Sequence, residues 1–242
     1  MFKEPDRRRI FLLRHGEAAY IDAEGRVTDD PRTVPLTPTG QIQARKQAAV
    51  LASVTFDKAI CSGLARTRET AKLVLAHRDH PPLEVVPELE EIRGGGRPLE
   101  VSDMKAWLGH VANPWAGADQ PEAKFLGGER FVDFADRIIP AFDAIIADQS
   151  WRTLLLVLHG AVNRMIFNHV IGVPWRGQTS IEQDNCCINV IDVDGASDGS
   201  AERYLIRVVN LTSYDLNKSS MHLTTMEQAA KRIAADLEAA GS

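Results

Sequence analysis

FLLRHGEAAY, residues 11–20, carries the reading from which the rest of the chain unfolds. Phe11, Leu12 and Leu13 read as the end of a buried strand, and Arg14, His15, Gly16 and Glu17 follow directly. Two potential cations where a hydrophobic strand leaves the core mean one of two things. Either this is a solvated turn, or it is a site that needs positive charge and an imidazole on rigid backbone. The pattern recurs. FDKAICS (56–62) is a second strand with SGLARTRETAKLVLA immediately behind it. TLLLVLHG (153–160), the most hydrophobic strand of the chain, runs into AVNRMIFNHVIG. A short continuous apolar run is buried on both faces, so 153–158 is expected at the centre of a parallel sheet.

Working outward, LEVVP (83–87) is a third, β-branched strand. LTPTGQIQARKQAAVLAS is helical, with Thr37 as cap, Pro38 at the first helical position and Ile42, Ala49 and Val50 near one face. Ser62 is the expected N-cap of the next helix, whose apolar positions are Leu64, Leu73 and Leu75. GGERFVDFADRIIPAFDAIIADQ is a long amphipathic helix with Pro140 as a point of kinking, and AVNRMIFNHVIG is a helix ending at Gly172. CCINVIDVDG and ERYLIRVVN, parted by an Asp/Gly/Ser turn, form an antiparallel hairpin. Residues 21–35 are a loop. Residues 88–128, with Gly94, Gly95, Gly96, Trp107, Trp115 and Phe125, are an excursion from the core rather than another strand–helix unit. The expected fold is α/β: three layers, α/β/α, around a mostly parallel sheet. One domain spans 1–242, with a small inserted cap at about 93–128 that sets specificity and a helical tail from about 224.

The 242 residues are 44% hydrophobic and 25% charged, an ordinary globular composition. The formal net charge of −5 speaks against nucleic acid or an anionic membrane as partner. It does not forbid an anionic substrate, since a local cluster of arginines outweighs a distant average. Cys61, Cys186 and Cys187 are odd in number and lack metal-ligand spacing, so they read as free buried thiols of a reducing compartment. MFKEPDRRRI is polar and reads as neither a signal peptide nor a membrane span, and the cytoplasm is the expected location. Oligomeric state leaves no mark.

In doubly wound sheets ligands sit at the carboxyl ends of strands. That rule selects Arg14, His15, Glu17, Ser62, Arg66 and His159. Guanidinium forks match phosphate oxygens bidentately, and the helix starts after Ser62 and Gly160 add backbone N–H groups. Phosphate is therefore the natural guest, and a neutral imidazole is a competent nucleophile toward phosphorus. Gly16 and Gly160, one after each histidine, leave room for backbone to approach a ligand. Arg66 lies in a first helical turn, where a cation is disfavoured unless an anion offsets it. Glu17 is either a substrate contact or a local charge balance, and Ser62 is a candidate substrate contact. Arg32, Arg93 and Arg97 are either a second anion subsite or solvated charge. Trp107 and Trp115 either close a small core beneath the excursion or line a substrate pocket. Gln43 reads as helix packing, and His77, His80, His110, His169 and His222 as surface or core.

LLRHGE, the SGLAR of 62–66, LEEI (89–92), GGE (127–129) and VLHG (157–160) together resemble the histidine phosphatase superfamily, also called the phosphoglycerate mutase-like family. The motifs fall in the family's order over roughly residues 8–172. The resemblance implies a phosphoglycerate mutase-like fold and makes His15 the phosphorylated nucleophile. Arg14 and Arg66 then clamp the phosphoryl oxygens, helped by Gly160. His159 is the second histidine, hydrogen-bonded to an equatorial oxygen, and Glu91 is the general acid. Glu88 and Glu90 stand beside Glu91 and leave that assignment open. No metal or other cofactor is implied, and the substrate is a small-molecule phosphate ester. Mutases of the family carry serine, tryptophan and asparagine after the first motif, where this chain reads RHGEAAYID, so hydrolysis leads and mutase-type transfer follows. A weakly active phospho-ligand binding module is the reading from another class.

Overall fold

The computed structural model describes residues 6–20, 28, 30–95, 101–173, 180–195 and 201–240. Gly96 and Arg97, most of the 21–29 stretch and the hairpin turn at 196–200 lie outside the described residues. The strands are β1 (Arg7–Arg14), β2 (Lys58–Cys61), β3 (Leu83–Val85), β4 (Thr153–Leu158), β5 (Ile188–Gly195) and β6 (Ala201–Leu211). The α-helices are α1 (Pro38–Val50), α2 (Ala65–Leu75), α3 (Val101–Ala112), α4 (Phe131–Ala147), α5 (Gly160–Val170) and α6 (Thr225–Ala240). The strands make one sheet in the order β3-β2-β4-β1-β5-β6.

The sheet is parallel from β3 to β1, and β5 and β6 add the antiparallel hairpin expected of the last two strands. β4 is central. Leu156 pairs with Leu12 on one side and Ile60 on the other. Leu154, Leu156 and Leu158 enter the core beneath α4 and α5, while Leu155 and Val157 face the core beneath α1 and α2. All five are at 0% exposure. At roughly 1.5–3 kcal/mol for each fully buried side chain, a one-residue slip is unaffordable, since every residue would change face. Because β1, β2 and β4 are parallel and in register, His15, Ser62 and His159 leave the sheet at the same end.

α1 begins as its sequence implies. Thr37 caps it by accepting the Gly40 N–H, and Pro38 stands in the first turn. Its buried face is another matter. Ile42 and Val50 are 53% and 46% exposed, and the inward residues are Gly40, Gln43, Ala44 and Gln47. The polar face has a cause: Gln47 Nε2 donates to the carbonyls of Cys186 and Leu211, and Gln43 Oε1 accepts the Glu17 N–H. Backbone groups that would otherwise be buried unpaired outweigh two apolar side chains. Pro140 lies within a single helix, exposed, and does not interrupt it. α2 is capped by Leu64 and not by Ser62.

The 88–128 excursion contains α3, which composition obscured. Met104 and Val111 are buried seven residues apart, at helical spacing, with Trp107 and Leu108 half-buried between them. α3 packs against α6. α6 starts with a reciprocal cap, in which Thr224 Oγ1 accepts the Glu227 N–H and the Glu227 carboxylate accepts the Thr224 N–H.

The connection from β1 to α1 is drawn into a neck. Ala18 bridges Leu36, the Ala19 N–H bonds the Pro35 carbonyl, and the Thr37 N–H bonds the Glu17 carbonyl. Beneath the neck Gly16 and Gly40 touch without side chains: a Cβ on Gly40 would lie 2.1 Å from the Glu17 carbonyl oxygen, and one on Gly16 2.6 Å from that of Gly40. Gly16 thus makes room for α1 and not for a ligand. Gly40→Ala is expected to cost about 1–3 kcal/mol by overpacking, read as a fall in melting temperature. An unchanged melt would mean that the neck yields.

Candidate active site

Backbone fixes His15 from both sides. Its N–H bonds the Leu158 carbonyl and its carbonyl accepts from the Cys186 N–H, while the Gly16 N–H donates to Thr70 Oγ1. The ring is 1% exposed, and Nδ1 donates to the Gly16 carbonyl at 2.7 Å. That bond assigns the hydrogen to Nδ1 and leaves a lone pair on Nε2, toward which Arg66 Nε donates from 3.3 Å. Burial first, then Arg66 and Arg14, push His15 well below the ordinary imidazole value, so the ring is neutral.

His159 stands at the N-cap of α5, wholly buried, with its ring edge to face against His15 at 5.2 Å between centroids. Burial, Arg66, His15 and Arg14 likewise push it well below the ordinary value. Nε2 is 2.7 Å from Ser62 Oγ, and Nδ1 is buried with no partner among the described residues.

Arg14 extends across the start of α5. Its Nη1 donates to the Gln183 carbonyl at 2.5 Å and to Thr225 Oγ1 at 3.2 Å, and its Nε is also buried without a described partner. A Cβ on Gly160 would lie 3.5 Å from that Nε and 3.3 Å from Arg164 Nη1, so glycine here leaves the guanidinium clear. Arg66, 2% exposed, is anchored by Nη1 on the Pro31 carbonyl, with the Tyr20 ring 5.5 Å from its Cζ. Buried donors without acceptors are rare in proteins, and Arg14 Nε is such a donor beside two buried imidazoles.

The three glutamates of 88–91 separate cleanly. Glu88 is exposed, and Glu90 is gripped bidentately by Arg32 at 2.5 and 2.8 Å. Glu91 alone reaches the start of α5, where its Oε2 accepts the Ala161 N–H at 3.3 Å. The same geometry ties Arg32 to Glu90 and leaves Arg93 exposed, which favours charge pairing and solvation over a second anion subsite; Arg97 lies outside the described residues. Ser62 is 0% exposed, with its hydroxyl engaged by His159 Nε2 and Thr67 Oγ1, which favours a role in supporting the histidine. Glu17 accepts from Thr37 Oγ1 and pairs with Arg232 of α6 at 3.7 Å, which favours the charge-balance reading. Trp115 is buried against Phe125 and Phe131, closing the core under the excursion.

Several residues around the site carried no local signal. Arg137 of α4 donates to the carbonyls of Glu88, Glu90 and Glu91 and pairs with Glu129 of the GGE motif. Burial would raise the Glu129 carboxyl, but Arg137 and the Arg93 N–H hold it below its ordinary value. Arg137 thus staples the segment that presents Glu91. Arg137→Ala should lower stability by about 3 kcal/mol, because it strands a buried carboxylate and three carbonyls. It should lower kcat as well, and Arg137→Lys should rescue neither, lacking the fork. A denaturant melt and a rate assay check both, and wild-type behaviour of Arg137→Ala would dismiss the staple. Arg164, 3% exposed, pairs with Glu182 and stacks 4.9 Å from the Trp115 ring; it lies four residues beyond Gly160, on the same helical face. Glu182 in turn accepts from Thr225, so the start of α6 sits at Arg14. Among the described residues no group of three or more His, Cys, Asp or Glu is placed to hold a metal ion.

The parallel strands of the sheet thus bring two neutral histidines and two arginines together at their carboxyl ends. The chain belongs to the histidine phosphatase superfamily, branch 1, whose family model matches residues 10–203. It is an enzyme of the phosphatase type, and the family acts through a phosphohistidine. The chain is similar to the adenosylcobalamin/alpha-ribazole phosphatase of Escherichia coli, 29% identical over 196 residues that cover 77% of this chain and 90% of that one. It is also similar to a probable phosphoglycerate mutase of Yersinia enterocolitica, 28% identical over 190 residues, 76% of this chain and 84% of the other. The crystal structure of the alpha-ribazole phosphatase from Shigella flexneri superimposes with a TM-score of 0.66 at 28% identity, over 84% of this chain and 96% of that one.

Proposed function

We propose that the chain hydrolyses phosphate monoesters through a phosphohistidine on His15. The observation that carries this is the His15 tautomer: Nδ1–H is bound to the Gly16 carbonyl, so Nε2 keeps its lone pair, held by nothing stronger than the 3.3 Å contact from Arg66 Nε. In the first step Nε2 attacks phosphorus and the bond to the leaving oxygen breaks, with the proton of the Glu91 carboxyl going to that oxygen. In the second, Glu91 as carboxylate takes a proton from water, whose oxygen attacks the phosphohistidine and releases phosphate. Arg14, Arg66, His159 and the N–H groups at the start of α5 hold the charge that spreads over the phosphoryl oxygens. No step calls for a metal, and a chelator should leave the rate unchanged.

Residues 93–128, together with the tail from about 224, act in this reading as the cap that selects the leaving group. Free, buried Cys61, Cys186 and Cys187 support a reducing compartment, and we place the enzyme in the cytoplasm. No helix among the described residues is long and apolar enough to cross a membrane. A net charge of −5 supports a small-molecule substrate over nucleic acid. The test is a hydrolysis screen across phosphorylated metabolites, beginning with an alpha-ribazole phosphate and the phosphoglycerates that the relatives' names point to. Release of inorganic phosphate from at least one ester is the expected result. Phosphate moved within phosphoglycerate without net release would instead establish the mutase reading, which the similarity to the Yersinia protein keeps in view. Binding without any phosphoenzyme would reduce the chain to a phospho-ligand module.

A further inference from the structure

The hydroxyl chain behind His159 has a direction. Thr67 Oγ1 lies 2.8 Å from the Leu64 carbonyl oxygen, which only accepts, so the Thr67 proton is committed there. Ser62 Oγ, 3.0 Å from Thr67 Oγ1, must therefore donate to it. With that proton used, Ser62 accepts at its 2.7 Å contact with His159 Nε2, and Nε2 carries the ring hydrogen. A neutral His159 then has a bare lone pair on Nδ1, the nitrogen that is buried without a described partner. His15 is the opposite tautomer, with its hydrogen on Nδ1.

A bare Nδ1 cannot donate to a phosphoryl oxygen, and its lone pair repels one. We infer that Ser62 and Thr67 are positioning residues that hold His159 as the Nε2–H tautomer, so that the pocket takes up a tetrahedral dianion only together with one proton on Nδ1. The inference rests on the phosphate pocket proposed above. The proton comes from water and returns to it when the anion leaves. While the anion is bound, the imidazolium donates to it from Nδ1 and to Ser62 from Nε2. In the empty pocket the proton is opposed by Arg14 and His15 after β1, Arg66 of α2 and Arg137 of α4, with Arg164 of α5 beside Arg14. Glu91, whose side chain reaches the start of α5, favours it while ionised. A dianion adds two negative charges to that set and reverses the balance. His15 faces the same anion through Nε2, so affinity alone does not tell the two rings apart.

Sulfate is the suitable probe, because it is a dianion throughout the working pH range and brings no proton of its own. In the wild-type protein the sulfate Kd, measured by calorimetry, should weaken about tenfold per pH unit above neutrality, the slope of one-proton linkage. Long-range 1H–15N spectra of the imidazoles, with His159 assigned by its loss in His159→Gln, supply the site. Free protein should show a protonated Nε2 and a bare Nδ1, and the sulfate complex should show both protonated. Thr67→Val frees the Ser62 proton to turn toward Nε2, which moves the ring hydrogen to Nδ1 and flattens the pH slope. Ser62→Ala removes the acceptor at Nε2 and is read in the same way should the valine variant fail to fold. A wild-type His159 carrying Nδ1–H when free, or only one ring hydrogen when sulfate is bound, overturns the inference while leaving the phosphate pocket standing. No sulfate binding at any pH overturns the pocket, and the inference with it.

Discussion

His15→Ala is expected to reduce turnover of an aryl phosphate by roughly 10⁴-fold or more, the scale on which loss of a covalent nucleophile acts. The reason is geometric. Nε2 of His15 carries its lone pair at the strand ends, on a residue whose backbone is fixed from both sides. Arg14 and Arg66 remain in the variant, so substrate should still bind, and the loss should appear in kcat. An acid quench of the wild-type enzyme during turnover should trap a labile phosphohistidine that the variant lacks. The pH profile follows from the depressed pKa of His15. Protonation disables the nucleophile, so the acid limb of kcat/KM should lie below the ordinary imidazole value of about 6.5. A variant that retains even about a hundredth of wild-type activity would remove His15 from the mechanism.

Glu91→Gln should separate the two chemical steps. Glutamine keeps an oxygen for the Ala161 N–H but can neither give nor take a proton. With an alkyl phosphate, whose leaving oxygen needs protonation, the rate should fall about 10²–10⁴-fold. With a nitrophenyl phosphate the leaving group departs unaided, so the phosphoenzyme still forms and then waits for a water that nothing activates. The expected signature is a burst of nitrophenol of about one equivalent, followed by a slow steady state and accumulated phosphohistidine. Glu90→Gln is the control, since its carboxylate is held by Arg32 and should be spared from chemistry. A burst in Glu90→Gln and none in Glu91→Gln would transfer the acid to its neighbour.

The strand-end residues were legible because a continuous apolar run followed by polar residues says where a parallel sheet opens. Arg14, His15, Arg66 and His159 all fall where that rule places them. The buried face of α1 escaped the local pattern because Gln43 answers the Glu17 N–H and Gln47 the Cys186 carbonyl, demands set by distant chain. Ser62 has the composition of a cap, yet the imidazole of His159 claims its hydroxyl instead. That Glu91 and not Glu90 reaches the start of α5 could not be read locally either, because Arg32 holds Glu90 from 58 positions away. Arg137 is 46 positions from the Glu91 carbonyl it holds, and Thr225 is 211 from Arg14. Long-range pairing of this kind becomes visible only once the chain has closed.

The neck between Glu17 and Thr37 separates the placement of His15 from the length of what hangs beyond it. Its bonds, Ala18 with Leu36, Ala19 with Pro35 and Glu17 with Thr37, close before the chain between Tyr20 and Val34 begins. The frame of His15 is therefore set by the Gly16–Gly40 contact and the strand edge, and not by that outer segment. Lengthening a loop already closed at its base adds only a slowly growing entropy, about 0.6 kcal/mol per doubling. A new sequence grafted there leaves the nucleophile where it is, provided it keeps the Pro31 carbonyl that anchors Arg66 and the Arg32 fork that holds Glu90.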